Sequence, residues 1–247
     1  MSSQTQYTPF RKSVIAVASA KGGVGKSTHT FNLAVFYHQN LKLNVLVLDV
    51  EKQPSLSEIA YQGSKVEGKR LDIKHYFDAE QLLDDVEMFK MRYDLILIDT
   101  AGADVDIQSG LDAEAQEAMN ESALATADYV VVPAKPSALD ARKTLKFSKS
   151  LTKWMKARRG GLGAICFLNE AKMRENLTRE VHSQMKNGLL IEYSDNFIMH
   201  SPYVAEAIMY GLGTTEFKPK HPISEQIAAL ATEIMDNVQN HLAQLEG

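Results

Sequence analysis

Nine residues, AKGGVGKST at positions 20–28, constrain the fold of this chain more than any others. They lie between a short apolar run, Val14 to Ala18, and a segment from Ser27 to Gln39 that reads as a helix. A strand that ends in a glycine turn and re-enters as a helix makes an anion cradle. Glycines let successive backbone N–H groups point inward, and the helix start adds the positive end of its dipole. In such a loop Gly22, Gly23, Val24 and Gly25 wrap a phosphate chain and Thr28 completes the turn into the helix. Lys26 reaches the outer phosphates, and the Ser27 hydroxyl is a ligand for Mg²⁺. The pattern G-x-x-x-x-G-K-[ST] is met except at its first position, where Ala20 stands.

The rest of the chain repeats strand and helix. Asn44 to Val50, Tyr93 to Asp99, Tyr129 to Val132 and Ala164 to Leu168 are apolar without alternation, as strands buried on both faces are. Helical segments fall at roughly 79–91, 111–126, 138–157, 172–186, 202–210 and 223–244. The polar stretch 62–75 has room for an edge strand. Strands alternating with helices predict an α/β fold: a doubly wound, mostly parallel sheet with helices on both faces, as in a P-loop NTPase. No repeat or linker divides the 247 residues, so one domain is expected, with a flexible stretch over 1–12.

Composition excludes several functions. A single cysteine, Cys166, cannot supply a disulfide framework or a cysteine-ligated metal centre within one chain, and its apolar setting reads as core. Seven scattered histidines form no H-x-x-x-H pair. No run of 18 apolar residues exists to cross a membrane, and no signal-peptide core precedes Val14. A net charge of −4 argues against a generally basic nucleic-acid binder but leaves local patches open.

Lys21 sharpens the reading. With a second lysine opening KGGVGKS, the loop resembles the deviant Walker A motif of the ParA/MinD family of P-loop ATPases, and the resemblance runs from Val14 to about Leu230. It is strongest toward small ParA-type partition ATPases. It implies that Lys21 crosses a dimer interface to the partner's nucleotide, so that a homodimer sandwiches two ATP molecules.

Two strand-end acids fit the same scheme. Asp99, after four apolar residues, matches the Walker B acid, and Asp49 ends the preceding apolar run. Both stand where parallel sheets bind ligands and would hold Mg²⁺, largely through water. The family continues Asp-x-Asp-Pro-Gln, whereas this chain reads Asp49-Val50-Glu51-Lys52-Gln53-Pro54. Glu51 takes the place of the acid that orients the attacking water, and Lys52 reads as an insertion ahead of Gln53-Pro54. Lys21, Lys26, Asp49 and Glu51 are therefore the expected catalytic set. Thr100-Ala101-Gly102 replaces the family's Thr-Pro-Pro, and Gly102 lets a backbone amide approach phosphate. No guanine-recognition motif is found, and Asn169 stands where the family often contacts adenine, which favours ATP; a plain turn residue is the alternative for Asn169. His200 falls where the family often has an arginine.

Residues 141–160 hold eight basic residues and no acid. Arg142, Lys146, Lys149, Lys153 and Lys156 fall within a stripe roughly 80° wide, opposite Thr144, Phe147, Leu151, Trp154 and Met155. Two readings stand: a solvated lysine face, or a ridge for nonspecific DNA, as in ParA-type members. Lys172, Arg174, Arg179 and Lys186 are candidates to extend it. The short segment before the first strand leaves no room for a helix-turn-helix. The tail helix lacks Lys and Arg from Ile223 onward, unlike a MinD-type membrane anchor, so no membrane partner is expected.

The resemblance thus implies a slow, partner-stimulated, DNA-bound ATPase that partitions plasmid or chromosome DNA. It would be cytoplasmic and nucleoid-associated, with a ParB-like or other adaptor. A related ATPase with another cargo, a conjugation complex or a protein assembly, is the alternative, ahead of a metabolic P-loop enzyme.

Overall fold

The computed structural model describes residues 10–52, 56, 71–102 and 111–246. The unbroken apolar runs become strands with both faces covered. β1 (Ser13–Val17), β2 (Val45–Asp49), β4 (Leu95–Asp99), β5 (Tyr129–Ala134) and β6 (Gly163–Leu168) are buried throughout. Two short strands, β3 (Asp72–His75) and β7 (Glu192–Tyr193), close the edges. The spatial order is β3-β2-β4-β1-β5-β6-β7, and every pairing is parallel. The edge strand expected within 62–75 is β3, although residues 62–70 lie outside those described. β7 was not foreseen, because two residues carry no readable period.

Side-chain alternation along each strand divides the core. Val14, Ala16, Leu46, Leu48, Ile96 and Ile98 face one side. There they meet Val86 of α2 (Leu82–Arg92), Ala123 of α3 (Leu111–Thr126), Leu151 of α4 (Ala138–Ala157) and Val181 of α5 (Asn176–Gly188). Ile15, Val17, Val45, Val47, Leu95 and Leu97 face the other side. That side is covered by α1 (Lys26–Asn40) and α8 (Pro222–Glu246), with α6 (Pro202–Met209) and the single turn α7 (Thr214–Phe217) beside them. α1 is buried around most of its girth, from His29 to Tyr37, and the Tyr37 hydroxyl donates to the Ala231 carbonyl of α8 at 2.9 Å. Ile227, Leu230, Ile234 and Val238 of α8 are buried, so the tail helix uses its apolar stripe for packing.

The flexible stretch expected at 1–12 falls, for residues 1–9, outside the described residues. Arg11 is tied to α8: its N–H donates to Gln239 Oε1 at 2.8 Å, and Gln239 Nε2 donates back to its carbonyl at 3.0 Å.

Candidate nucleotide site

Strand order assembles the site. In register, Val17 of β1 pairs with Asp99 of β4, and Asp99 pairs with Asp49 of β2. The glycine loop leaving β1 therefore rises beside both acids, at the carboxyl edge where such sheets bind ligands.

The loop is held from several sides. Ser19 Oγ donates to the Lys21 carbonyl at 2.7 Å. Gly23 and Gly25 take positive φ of 72° and 99°, a backbone region that residues with a Cβ rarely adopt, and Gly25 caps α1. Asn169, at the end of β6, is buried beneath the loop, where its Nδ2 donates to the Val24 carbonyl at 2.8 Å. A Cβ at Gly25 would stand 2.5 Å from that nitrogen. His29 lies against the same support, edge-on to Phe167, and burial depresses its imidazole to a pKa of about 4. Gly102 presses on the loop from above: a Cβ there would be 2.6 Å from Gly22 N and 2.8 Å from the Lys21 carbonyl carbon. What Gly102 approaches so closely is the cradle's own backbone.

Lys26 is buried at 5% exposure among carboxylates. Asp99 is fully buried; its Oδ1 accepts from Thr30 Oγ1 at 3.1 Å, while its Oδ2 has no hydrogen-bond partner among the described residues. Burial raises the Asp99 carboxyl to about 7; the Ser27 hydroxyl draws it back, Glu51 and Asp49 push it further, and Lys26 opposes them. Glu51 is half-buried and also raised, by burial first, with Lys26 lowering and Asp49 raising it. A buried carboxylate oxygen without a partner, beside further acids and a hydroxyl, suits a hydrated divalent cation. Among the described residues no three His, Cys, Asp or Glu side chains form a ready-made metal cage, so phosphate and water would complete the shell. Asp49 also braces the following loop: Oδ1 accepts from Glu51 N at 3.3 Å and Oδ2 from Leu56 N at 3.0 Å.

Three contributors escaped the sequence reading. Asp140 holds Lys21 in an ion pair of 2.7 Å. Its only sequence signal was Ser137-x-x-Asp140, a helix-start pattern; Ser137 Oγ accepts from Asp140 N at 3.1 Å. Thr30 was hidden inside the helix pattern, and Gln116, which bonds to the Val50 carbonyl and to Lys52 N beside Glu51, gave no signal at all.

The basic stripe is exposed as expected. Arg142, Lys146, Lys149, Lys153 and Lys156 face solvent, while Thr144, Ser148 and Leu151 are buried. None of the five enters an ion pair among the described residues. The suggested extension on α5 is partly neutralised, since Lys186 pairs with Asp195 at 2.6 Å. Arg158 turns inward to the Leu124 and Ala127 carbonyls that end α3 and its following turn. Cys166 is fully buried, and burial pushes its thiol up, away from reactivity.

A parallel sheet, a strand–glycine loop–helix unit, a buried loop lysine and strand-end acids together define a P-loop nucleotide-binding protein. The chain belongs to the CobQ/CobB/MinD/ParA nucleotide binding domain family, which matches residues 15–238. It is similar to the chromosome-partitioning ATPase Soj of Thermus thermophilus, at 26% identity over 91% of this chain and 96% of that protein. It is also 33% identical to the maintenance of carboxysome distribution protein A of Gloeobacter kilaueensis, over 51% of each. Its fold matches the septum site-determining protein MinD of Pyrococcus horikoshii, solved with Mg-ADP. That match has a TM-score of 0.66 at 19% identity and covers 91% of this chain and 96% of that one. It is a ParA/MinD-type P-loop ATPase in fold and family.

Proposed function

We propose that this chain is a ParA-type ATPase that dimerises around ATP and Mg²⁺ and binds nonspecific DNA in that state. On the nucleoid it would partition or position plasmid or chromosome DNA, with a ParB-like or other adaptor stimulating a slow ATPase. The observation that carries the reading lies on α4. Its outer face presents five exposed cations, and its first turn holds the partner of Lys21, so the nucleotide loop and the DNA face share one helix. The similarity to Soj supports the partition role.

In this reading the amides of Gly22, Gly23 and Gly25, with Val24, Ser27 and Thr28, enclose the phosphates. Lys26 neutralises the outer ones. Asn169 borders the adenine end. Lys21 leaves its own protomer and offsets charge on the partner's nucleotide. Ser27, with Asp99 and Asp49 acting through water, would hold Mg²⁺, which supplies charge neutralisation on the phosphates. Glu51 orients the water that attacks the γ-phosphorus as the bond to the ADP oxygen breaks. Catalysis is then positioning plus electrostatics.

Retention on nonspecific DNA, measured across salt with and without ATP, tests the reading. About four phosphates per protomer, or about eight per dimer, give a log–log slope near −7. Retention independent of ATP, or a flat salt response, refutes it.

A second cargo class is favoured by the similarity to a carboxysome distribution protein. It uses the same ATP and DNA chemistry and predicts that loss of the protein clusters a protein assembly without loss of plasmids.

A further inference from the structure

The four backbone polar groups around Glu51 are all fastened by side chains. Its own N–H donates to Asp49 Oδ1 at 3.3 Å, and its carbonyl meets His75 Nε2 of edge strand β3 at 2.9 Å. The two flanking groups go to a single residue. Gln116 of α3 donates from Nε2 to the Val50 carbonyl at 3.0 Å and accepts at Oε1 from Lys52 N, also at 3.0 Å. Gln116 is 3% exposed, so this amide sits in a region of low dielectric and is not replaced by water without cost. One turn earlier on the same face of α3, Asp112 pairs with Lys52 Nζ at 2.6 Å. Lys52 replaces the proline of the family's Asp-x-Asp-Pro-Gln rather than lengthening the loop, since Gln53 keeps its spacing from Asp49. α3 therefore holds Lys52 through both its backbone N–H and its side chain.

We infer that Gln116 is a positioning residue for hydrolysis, a two-point clamp that fixes the peptides on either side of Glu51 and so aims its carboxylate at the phosphate site. The inference rests on the proposal that Glu51 orients the attacking water. A carboxylate with one methylene more than aspartate has an extra rotatable bond. Fixing its backbone from both sides is what keeps that longer reach productive, since errors on the order of 1 Å cost about 100-fold in rate.

The test is steady-state ATP turnover by the full chain, with fluorescent-nucleotide affinity and ATP-dependent dimerisation measured alongside. Gln116→Met, close in volume but unable to bridge the peptides, is expected to lower kcat about 10- to 100-fold. KM and dimerisation should stay within about twofold, a split that general destabilisation would not give. Gln116→Asn keeps the amide on a stem one methylene shorter, and should also lower kcat if the Met variant folds poorly. Glu51→Gln separates the two layers of the argument. If Glu51→Gln turns over normally, the water-orienting role falls and the clamp with it. If Glu51→Gln is inactive while both Gln116 variants turn over normally, the clamp alone is overturned. Equal losses of kcat and of nucleotide affinity in the Gln116 variants also overturn it.

Discussion

Lys21 and Asp140 form a 2.7 Å ion pair that joins the nucleotide loop to the first turn of α4. The aspartate side is 5% exposed and the lysine 37%, so the carboxylate is fixed and the ammonium is free to leave. Asp140 Oδ2 is held in turn by the Ser137 hydroxyl at 2.7 Å. In the proposed sandwich dimer the same ammonium is needed across the interface, so the internal pair competes with dimerisation. Asp140→Asn should therefore strengthen ATP-dependent dimers by about tenfold, equivalent to roughly 1.4 kcal/mol. Lys21→Ala should abolish them. Sedimentation with and without ATP reads both; dimers that persist in Lys21→Ala would contradict the sandwich.

The exposed ridge on α4 makes a separable prediction. Changing Lys146, Lys149 and Lys153 to Glu should remove retention on nonspecific DNA while nucleotide affinity stays within about twofold, because all three are exposed and none enters an ion pair among the described residues. Filter binding and calorimetry on the same preparations check it; unchanged DNA affinity would return the helix to a merely solvated face.

The support beneath the loop is steric as well as hydrogen-bonded. Gly25→Ala introduces a Cβ 2.5 Å from Asn169 Nδ2 at a φ of 99°, and should weaken nucleotide binding by at least about 100-fold. Gly25→Ala with Asn169→Ala relieves the collision but not the backbone strain, so only part of the affinity should return. Full recovery would mean that the left-handed backbone is not required.

Gly102 carries a parallel requirement. Its missing Cβ is what lets the Asp99-Thr100-Ala101-Gly102 segment lie on the peptide between Lys21 and Gly22. Gly102→Ala should displace the loop and lower both the unfolding midpoint and nucleotide affinity, read by thermal melts and fluorescent-nucleotide titration. An unaltered melt would show that the contact yields easily.

His29 sets a pH dependence of stability. Its pKa is lowered by burial from 6.5 unfolded to about 4 folded, so the unfolded chain binds the proton first as pH falls. The stability tied to the neutral ring is complete above pH 6.5 and is lost progressively toward pH 4. The shift corresponds to about 3 kcal/mol at most. Urea unfolding of the nucleotide-free protein should show a midpoint rising over that window, and His29→Gln should flatten the rise.

Much of this molecule was legible in the sequence because it depends on local pattern. Continuous apolar runs marked five buried strands, and their alternation with helices implied the parallel sheet. The α4 boundaries expected at 138–157 are the ones observed. The glycine loop announced itself because its conformation needs glycine at fixed spacings. Edge elements were less legible. β3 was only a possibility in a polar stretch, β7 is two residues long, and α7 is a single turn between Gly213 and Lys218.

The tertiary structure alone decided which distant residues meet. Lys21 with Asp140, Val24 with Asn169, and the loop around Glu51 with Gln116 are each joined across many residues of chain. Side-chain period encodes which face of a strand or helix is buried, but it does not encode the order of strands within the sheet. Once the order β2-β4-β1-β5-β6 is set, the carboxyl ends line up and turns far apart in sequence become neighbours. Chemistry-bearing residue types were thus set by sequence, while their partners, and with them the burial that raises the Asp99 carboxyl and the anchoring of Glu51, were set by packing.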